Sequence, residues 1–240
     1  MNTRQRPRST LHSDSELLIE TPKDRDGASK PSCRWRLFIE ITPPLLHAPR
    51  RITASSLPIS ASDASNPKAE PAVEVLDETL ELEPILGGSL VRARVATHKA
   101  VPTSNDGSGS IALDDVPGFG IVMPNGLNMY YLDVAPNTEG VMHRTTSTDY
   151  LIVLHGTLSL LTPQTAFDTE TGYGEPKETV CHPGEVVVQR GIMHALSNRT
   201  DQWVRVIGVV AASDANRVPV EGVRSSASEE HRVLNDAWLA

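Results

Sequence analysis

Apolar and polar residues alternate in short runs between Leu90 and Ala211, and Gly, Pro and Asn cut the runs apart. Side chains on a strand face opposite sides in turn, so a period of two reads as half-buried strands. "SLVRARVATH" alternates through Val91, Ala93 and Val95 and predicts a strand. "GIVMPNGLNMYYLDVAP" places two strand-like runs around Pro124-Asn125-Gly126, a hairpin signal. Further strands are predicted at 149–154 and 157–161 across a Gly156 turn, then at 185–189, 194–197 and 203–211. A polar loop fills 162–177. From Ala72, "AVEVLDETLELEPIL" admits a short strand, a helix or one of each. Short strands separated by turn residues, with no convincing long helix, predict an all-β antiparallel sandwich or barrel.

The flanks have a different texture. Residues 1–70 are rich in Ser, Pro, Arg and Asp and keep neither period, so they read as a disordered extension and linker. Trp35 to Ile41 is the one short apolar run there, and Pro43 and Pro44 end it. The core domain is expected at 71–212. In the tail, 213–240, Ser225 to Ser228 can cap a short final helix with Val233, Leu234, Ala237 and Trp238 on its apolar side.

Charge narrows the partners. The net charge is -8, yet residues 1–60 hold ten Lys or Arg against six acids, so the remainder is strongly acidic. Nucleic acid favours a basic face and is not expected as a partner. No apolar run approaches the ~18 residues of a membrane span, so no membrane partner is expected either. With only Cys33 and Cys181, a disulfide framework is not expected, and a reducing, cytoplasmic location is.

The chemistry gathers between Gly140 and Asn198. "GVMHRTTSTDYLIVLHGTLSLL" and "CHPGEVVVQRGIMHALSN" each join a histidine to a strand-forming run and a glycine turn. Two imidazoles, His143 and His194, and the Asp149 carboxylate are a donor set for a divalent ion. Residues 143, 145 and 149 share parity, so an unbroken strand would aim all three into one interior. Each has a plainer reading: a hydrogen-bonded core histidine, or an aspartate paired with Arg144 or Arg190. Arg190 could clamp a substrate carboxylate or form an exposed ion pair. Of Tyr130 and Tyr131, adjacent on a strand, one points inward, and Tyr131 joins the catalytic candidates. His155 and His182 read as exposed turn residues, and Cys181 as a small buried hydrophobe.

These segments resemble the cupin superfamily, a jelly-roll barrel with two histidine motifs, G-x5-H-x-H-x3,4-E-x6-G and G-x5-P-x-G-x2-H-x3-N. His143, Asp149 and Gly156 fall at first-motif positions, with Thr145 in the place of the middle histidine and Asn137 in that of the leading glycine. Gly184, Gly191, His194 and Asn198 match the second, with the gap after Gly184 one residue short and Gln189 in place of the proline. "MHRTTSTDY" and "VVQRGIMHALSN" also resemble a subgroup of single-domain cupins with "MHRT-S-DY" and "VVQRG--HAW-N". Ile192 and Leu196 depart from that subgroup. Fungal members often lie in polyketide gene clusters and are described as cupin-domain oxidoreductases.

The resemblance implies a single cupin jelly-roll barrel, a small-molecule substrate and pairing of two chains as a homodimer. It also implies an iron or manganese ion on His143, Asp149 and His194, serving oxidation of an oxygenated, polyketide-derived intermediate. Two alternatives stand beside it. One is a cupin that binds a small molecule without turning it over. The other is a metal-free decarboxylase, dehydratase or isomerase with Asp149 or His143 as base.

Overall fold

Strand formation follows the alternation where one face is buried. In the computed structural model, residues 44–225 and 228–239 are described, the side chains of 221–229 excepted. The strands are β1 (Arg50–Ser56), β2 (Val73–Thr79), β3 (Glu83–Ile85), β4 (Leu90–His98) and β5 (Leu127–Val134). Next come β6 (His143–Arg144), β7 (Ser147–His155), β8 (Leu158–Pro163), β9 (Pro176–Cys181) and β10 (Val186–Arg190). The last five are β11 (Ala195–Ser197), β12 (Val204–Ala212), β13 (Asn216–Ser225), β14 (Ser228–Leu234) and β15 (Ala237–Trp238). No α-helix occurs among the described residues; the one helical piece is a 3-10 turn at Leu86–Gly88. The all-β expectation holds.

Six strands form one sheet in the order β10-β7-β12-β5-β4-β3, every pair antiparallel. A smaller sheet runs β11-β8-β9. A bridge between His143 and His194 ties it to the β6–β15 pair. Val134, Val153, Val204 and Val206 of the large sheet pack with Leu158, Leu160 and Cys181 of the small one. This apolar filling is the core that holds the sheets face to face, a cupin-like arrangement. Gly156 turns β7 into β8 at φ +74, where a Cβ would run into the Trp203 carbonyl, so only glycine fits there.

Several expectations need correction. The C-terminal helix does not form: β13 and β14 pair with each other, and β15 pairs with β6. A short helix is marginal alone, whereas β6 is two residues long and has polar backbone to satisfy. The tail supplies partners, Leu239 N–H to Met142 O at 2.9 Å among them.

The linker reading of 1–70 fails at Arg50–Ser56, which lies antiparallel to Val73–Thr79. Only Arg51 of that strand is buried, so no apolar alternation announced it. The Arg51 guanidinium instead donates to Glu78 and to the Val95 carbonyl. Disorder before residue 44 and a strand or helix at 35–41 lie outside the described residues. The Pro124-Asn125-Gly126 turn forms, with Asn125 at φ +58. No strand precedes it, and β5 pairs with β4 and β12 instead.

Candidate functional site

Between the sheets lies a cavity of about 520 Å³, walled mainly by apolar side chains such as Leu132, Leu151 and Leu196. His143, Asp149 and His194 all line it. Antiparallel pairing brings the histidines together: His143 N–H donates to His194 O and His194 N–H to His143 O, each at 2.8 Å. Directly paired residues point to the same face, and the rings sit 4.4 Å apart, centroid to centroid. His143 Nδ1 lies 2.8 Å from Val141 O, and His194 Nδ1 lies 3.0 Å from Ile192 O. A carbonyl only accepts, so each Nδ1 carries the proton and each neutral ring keeps a lone pair on Nε2.

Burial sets the charge states. Desolvation lowers the His143 pKa, offset in part by the Val141 hydrogen bond. Desolvation, then the neighbouring His143, pushes His194 down to about 4. For Asp149, 6% exposed, desolvation raises the carboxyl above its ordinary value while the Ser147 hydroxyl pulls the other way. Its Oδ1 has no hydrogen-bond partner. The expected ion pair to Arg144 or Arg190 is absent among the described residues. Near neutral pH the site thus holds uncharged imidazoles beside a carboxyl whose ionised form is disfavoured.

Thr145, Tyr131 and Arg190 do not join this group. Strand pairing is interrupted between β6 and β7, and Thr145, though buried like Ser147 and Asp149, does not line this cavity. It bonds Ser147 Oγ at 2.9 Å and lines a larger neighbouring cleft of about 960 Å³. Tyr131 faces away from the cavity, beneath the Arg205 guanidinium at 5.8 Å. Its neighbour Tyr130 takes the inward place, buried, with a phenol pKa raised by desolvation and by the Asp149 charge. Parity had given one inward tyrosine without saying which. Arg190 is exposed, because the residue before it, Gln189, takes the inward position. Cys181 is buried in the core and its thiol pKa is raised, first by desolvation, as an inert packing residue would be. His155 and His182 are exposed, as expected.

Two cavity residues escaped the sequence reading. Gln189 lies directly across from Asp149 in the β10–β7 register and is 1% exposed. Its position in the second motif, where proline was expected, was the available signal. Trp238 stacks on the His143 ring at 4.3 Å and 9°, touches Phe119 at 4.2 Å, and borders both cavity and cleft. The helix reading had hidden it.

The residues fit the expected divalent ion only in part. Two imidazoles with free Nε2 atoms suit it, since Nδ1–H bonded to a carbonyl is the usual arrangement behind a metal-bound histidine. Yet among the described residues no three His, Cys, Asp or Glu side chains converge closely enough to hold an ion. Asp149 shares the cavity without completing the set.

No protein-family model matches the chain. It is 34% identical over 104 residues to phomopsin biosynthesis cluster protein D of Diaporthe leptostromiformis, covering 43% of this chain and 48% of that protein. The match thus spans about half of that relative's length. Among solved structures it is similar to the polyketide cyclase RemF from Streptomyces resistomycificus, at 17% identity, 55% and 72% coverage and a TM-score of 0.35. An RmlC-like cupin from Shewanella frigidimarina NCIMB 400 gives 14% identity, 55% and 82% coverage and a TM-score of 0.34. Its facing sheets make a cupin-like β fold, its two histidine segments resemble cupin motifs, and a sequence relative is a biosynthesis cluster protein.

Proposed function

We propose that this chain is a small-molecule enzyme that moves protons on an oxygenated secondary-metabolite intermediate, in an isomerisation, dehydration or cyclisation. One observation carries the reading: the Asp149 carboxyl is buried, lacks a partner at Oδ1 and faces an apolar cavity. A carboxylate desolvated in this way is a stronger base than one in water. Asp149 takes a proton from a carbon next to a carbonyl. The Tyr130 phenol stays protonated and hydrogen-bonds the carbonyl oxygen as negative charge develops there. The Nε2 atoms of His143 and His194 accept from substrate hydroxyls and orient the ring. Apolar walls exclude water and strengthen each of these contacts. The relative's place in a biosynthesis cluster supports a biosynthetic substrate, and the cupin resemblance adds a polyketide-derived one.

The test is hydrogen–deuterium exchange at the α-carbon of 2-tetralone, followed by NMR with the full chain. Exchange should be catalysed, with an acid limb above the ordinary carboxylate range because Asp149 must ionise. Asp149→Asn should lower the rate ~10²–10⁴-fold, the usual contribution of a general base. Undiminished exchange in that variant overturns the assignment. Ligand binding without turnover of any substrate would leave a binding protein.

A second reading, oxidation supported by an iron or manganese ion on the two imidazoles, rests on their free Nε2 atoms. Bound, such an ion would supply Lewis-acid or dioxygen chemistry. About one ion per chain by elemental analysis, lost in folded His143→Ala and His194→Ala variants, would favour it. Full exchange activity after chelation would favour proton transfer.

A further inference from the structure

Both polar atoms of the Gln189 amide, Nε2 and Oε1, are buried without a hydrogen-bond partner. Native interiors leave few such groups, because an unbonded buried amide costs free energy. With Asp149 Oδ1 they make three of the five unpartnered buried side-chain atoms found among the described residues. The two residues are cross-strand partners lining one cavity. Three other polar side chains there have partners in the protein. His143 and His194 spend Nδ1 on carbonyls. Arg92 is paired with Glu83 and donates to Gly120 O.

We infer that Gln189 reads a planar substrate edge in which a carbonyl oxygen lies beside an N–H or O–H donor. A primary amide offers a donor and an acceptor in one plane, and a group with the reverse pattern satisfies both together. A bare ketone leaves Oε1 unbonded, and a carboxylate sets an anion against it in an apolar site. Lactam or amide edges and hydroxycarbonyl edges share the required chemistry. The inference rests on the cavity being the substrate site and deepens that reading. A carbonyl held by Gln189 brings its neighbouring carbon toward Asp149, on the facing strand.

Calorimetric titration of the full chain with two matched pairs tests it. 2-Quinolinone has the N–H donor and coumarin, of nearly the same shape, does not; 2-hydroxyacetophenone has the O–H donor and acetophenone does not. The donor-bearing member should bind about tenfold or more tightly in at least one pair. Preference in the first pair alone assigns an amide edge, and in the second alone a hydroxycarbonyl edge. Gln189→Met should bring the ratio near one and melt at or above the wild-type temperature, since an orphaned amide has been removed. Gln189→Leu, which also removes the Oε1 acceptor that the ligand N–H or O–H would meet, should do the same and serves if the methionine variant does not fold.

Equal binding within both pairs overturns the inference. So does failure of all four compounds to bind, or a preference that survives in either variant. The reaction stands apart from this result: α-proton exchange without donor discrimination sinks Gln189 and spares Asp149. Discrimination without exchange does the reverse.

Discussion

The second histidine motif contains two buried amides with opposite fates. Asn198, wholly buried, donates from Nδ2 to the carbonyls of Val134, Ala135 and Gln202 at 3.0, 3.0 and 2.7 Å. Its Oδ1 accepts from the Thr200 N–H at 3.1 Å and hydroxyl at 2.7 Å. The Gln189 side-chain amide, equally inaccessible, makes no hydrogen bond. The two have the same functional group and similar burial, so the difference lies in what surrounds them. Asn198 sits at a chain crossing, where loose carbonyls need a donor. Gln189 lines a cavity, and neither of its amide atoms meets a partner there. A saturated buried amide belongs to the scaffold, and an unsaturated one on a cavity wall is the group that we propose reads a ligand.

The largest effect that sharpens this contrast is at the scaffold amide. Asn198→Ala removes a donor from three carbonyls and an acceptor from the Thr200 turn. It should cost about 4 kcal/mol in denaturant-induced unfolding. A loss no greater than that of Gln189→Met would erase the distinction.

Next comes the pH dependence of stability, set by the histidine nearest the core. The folded pKa of His194 is depressed to about 4 from the ordinary 6.5. The unfolded chain therefore binds the proton first. The contribution of His194 is complete above about pH 6.5 and is lost as pH falls through 4, amounting to ~3 kcal/mol. The raised carboxyl of Asp149 acts in the opposite sense, its contribution being complete below 3.8 and lost as pH rises through the folded value. Urea unfolding from pH 4 to 7 in an Asp149→Asn background should isolate the slope of the two buried histidines, and adding His194→Gln should reduce it to the part due to His143. An unchanged slope would mean that His194 is not held neutral by burial.

The smallest effect is at the edge of the cavity. Trp238→Ala should cost about 1 kcal/mol for the lost ring contacts with His143 and Phe119. It should also raise the His143 pKa toward its ordinary value, because the stacked ring helps to exclude water. An NMR titration of His143 that shows no change would remove the tail from the cavity's electrostatics.

Legibility in the sequence followed the size of the periodic signal. β4, β7 and β12 each bury an alternating face; β4 was visible as alternation, and the other two as apolar runs between turns. β1 buries one arginine and was read as linker. The placement of His143, Asp149 and His194 around one interior followed from motif spacing, whereas strand parity also put Thr145 there, which the interruption between β6 and β7 does not bear out. Tyr130 was half-legible: adjacency placed one tyrosine inward, but choosing between neighbours requires the register with β4 and β12. Gln189 was visible only as a departure from a motif. Its meaning depends on the hydrogen bonds it fails to make, and sequence carries no record of those.

The sequence by itself determined the strand-forming runs, the turns at Gly156 and Asn125, and the two histidines that pair. These depend on local sterics and on a period of two, both carried by neighbouring residues. Tertiary structure decided the rest. The tail became strands because β6 had open backbone groups to satisfy, and Thr145 lies outside the cavity, in the interruption between β6 and β7. Asp149 and Gln189 became an unpartnered pair because β7 and β10 meet in one register over an apolar space. Burial, and with it charge state and unmet hydrogen bonding, arises only when distant segments close around a site.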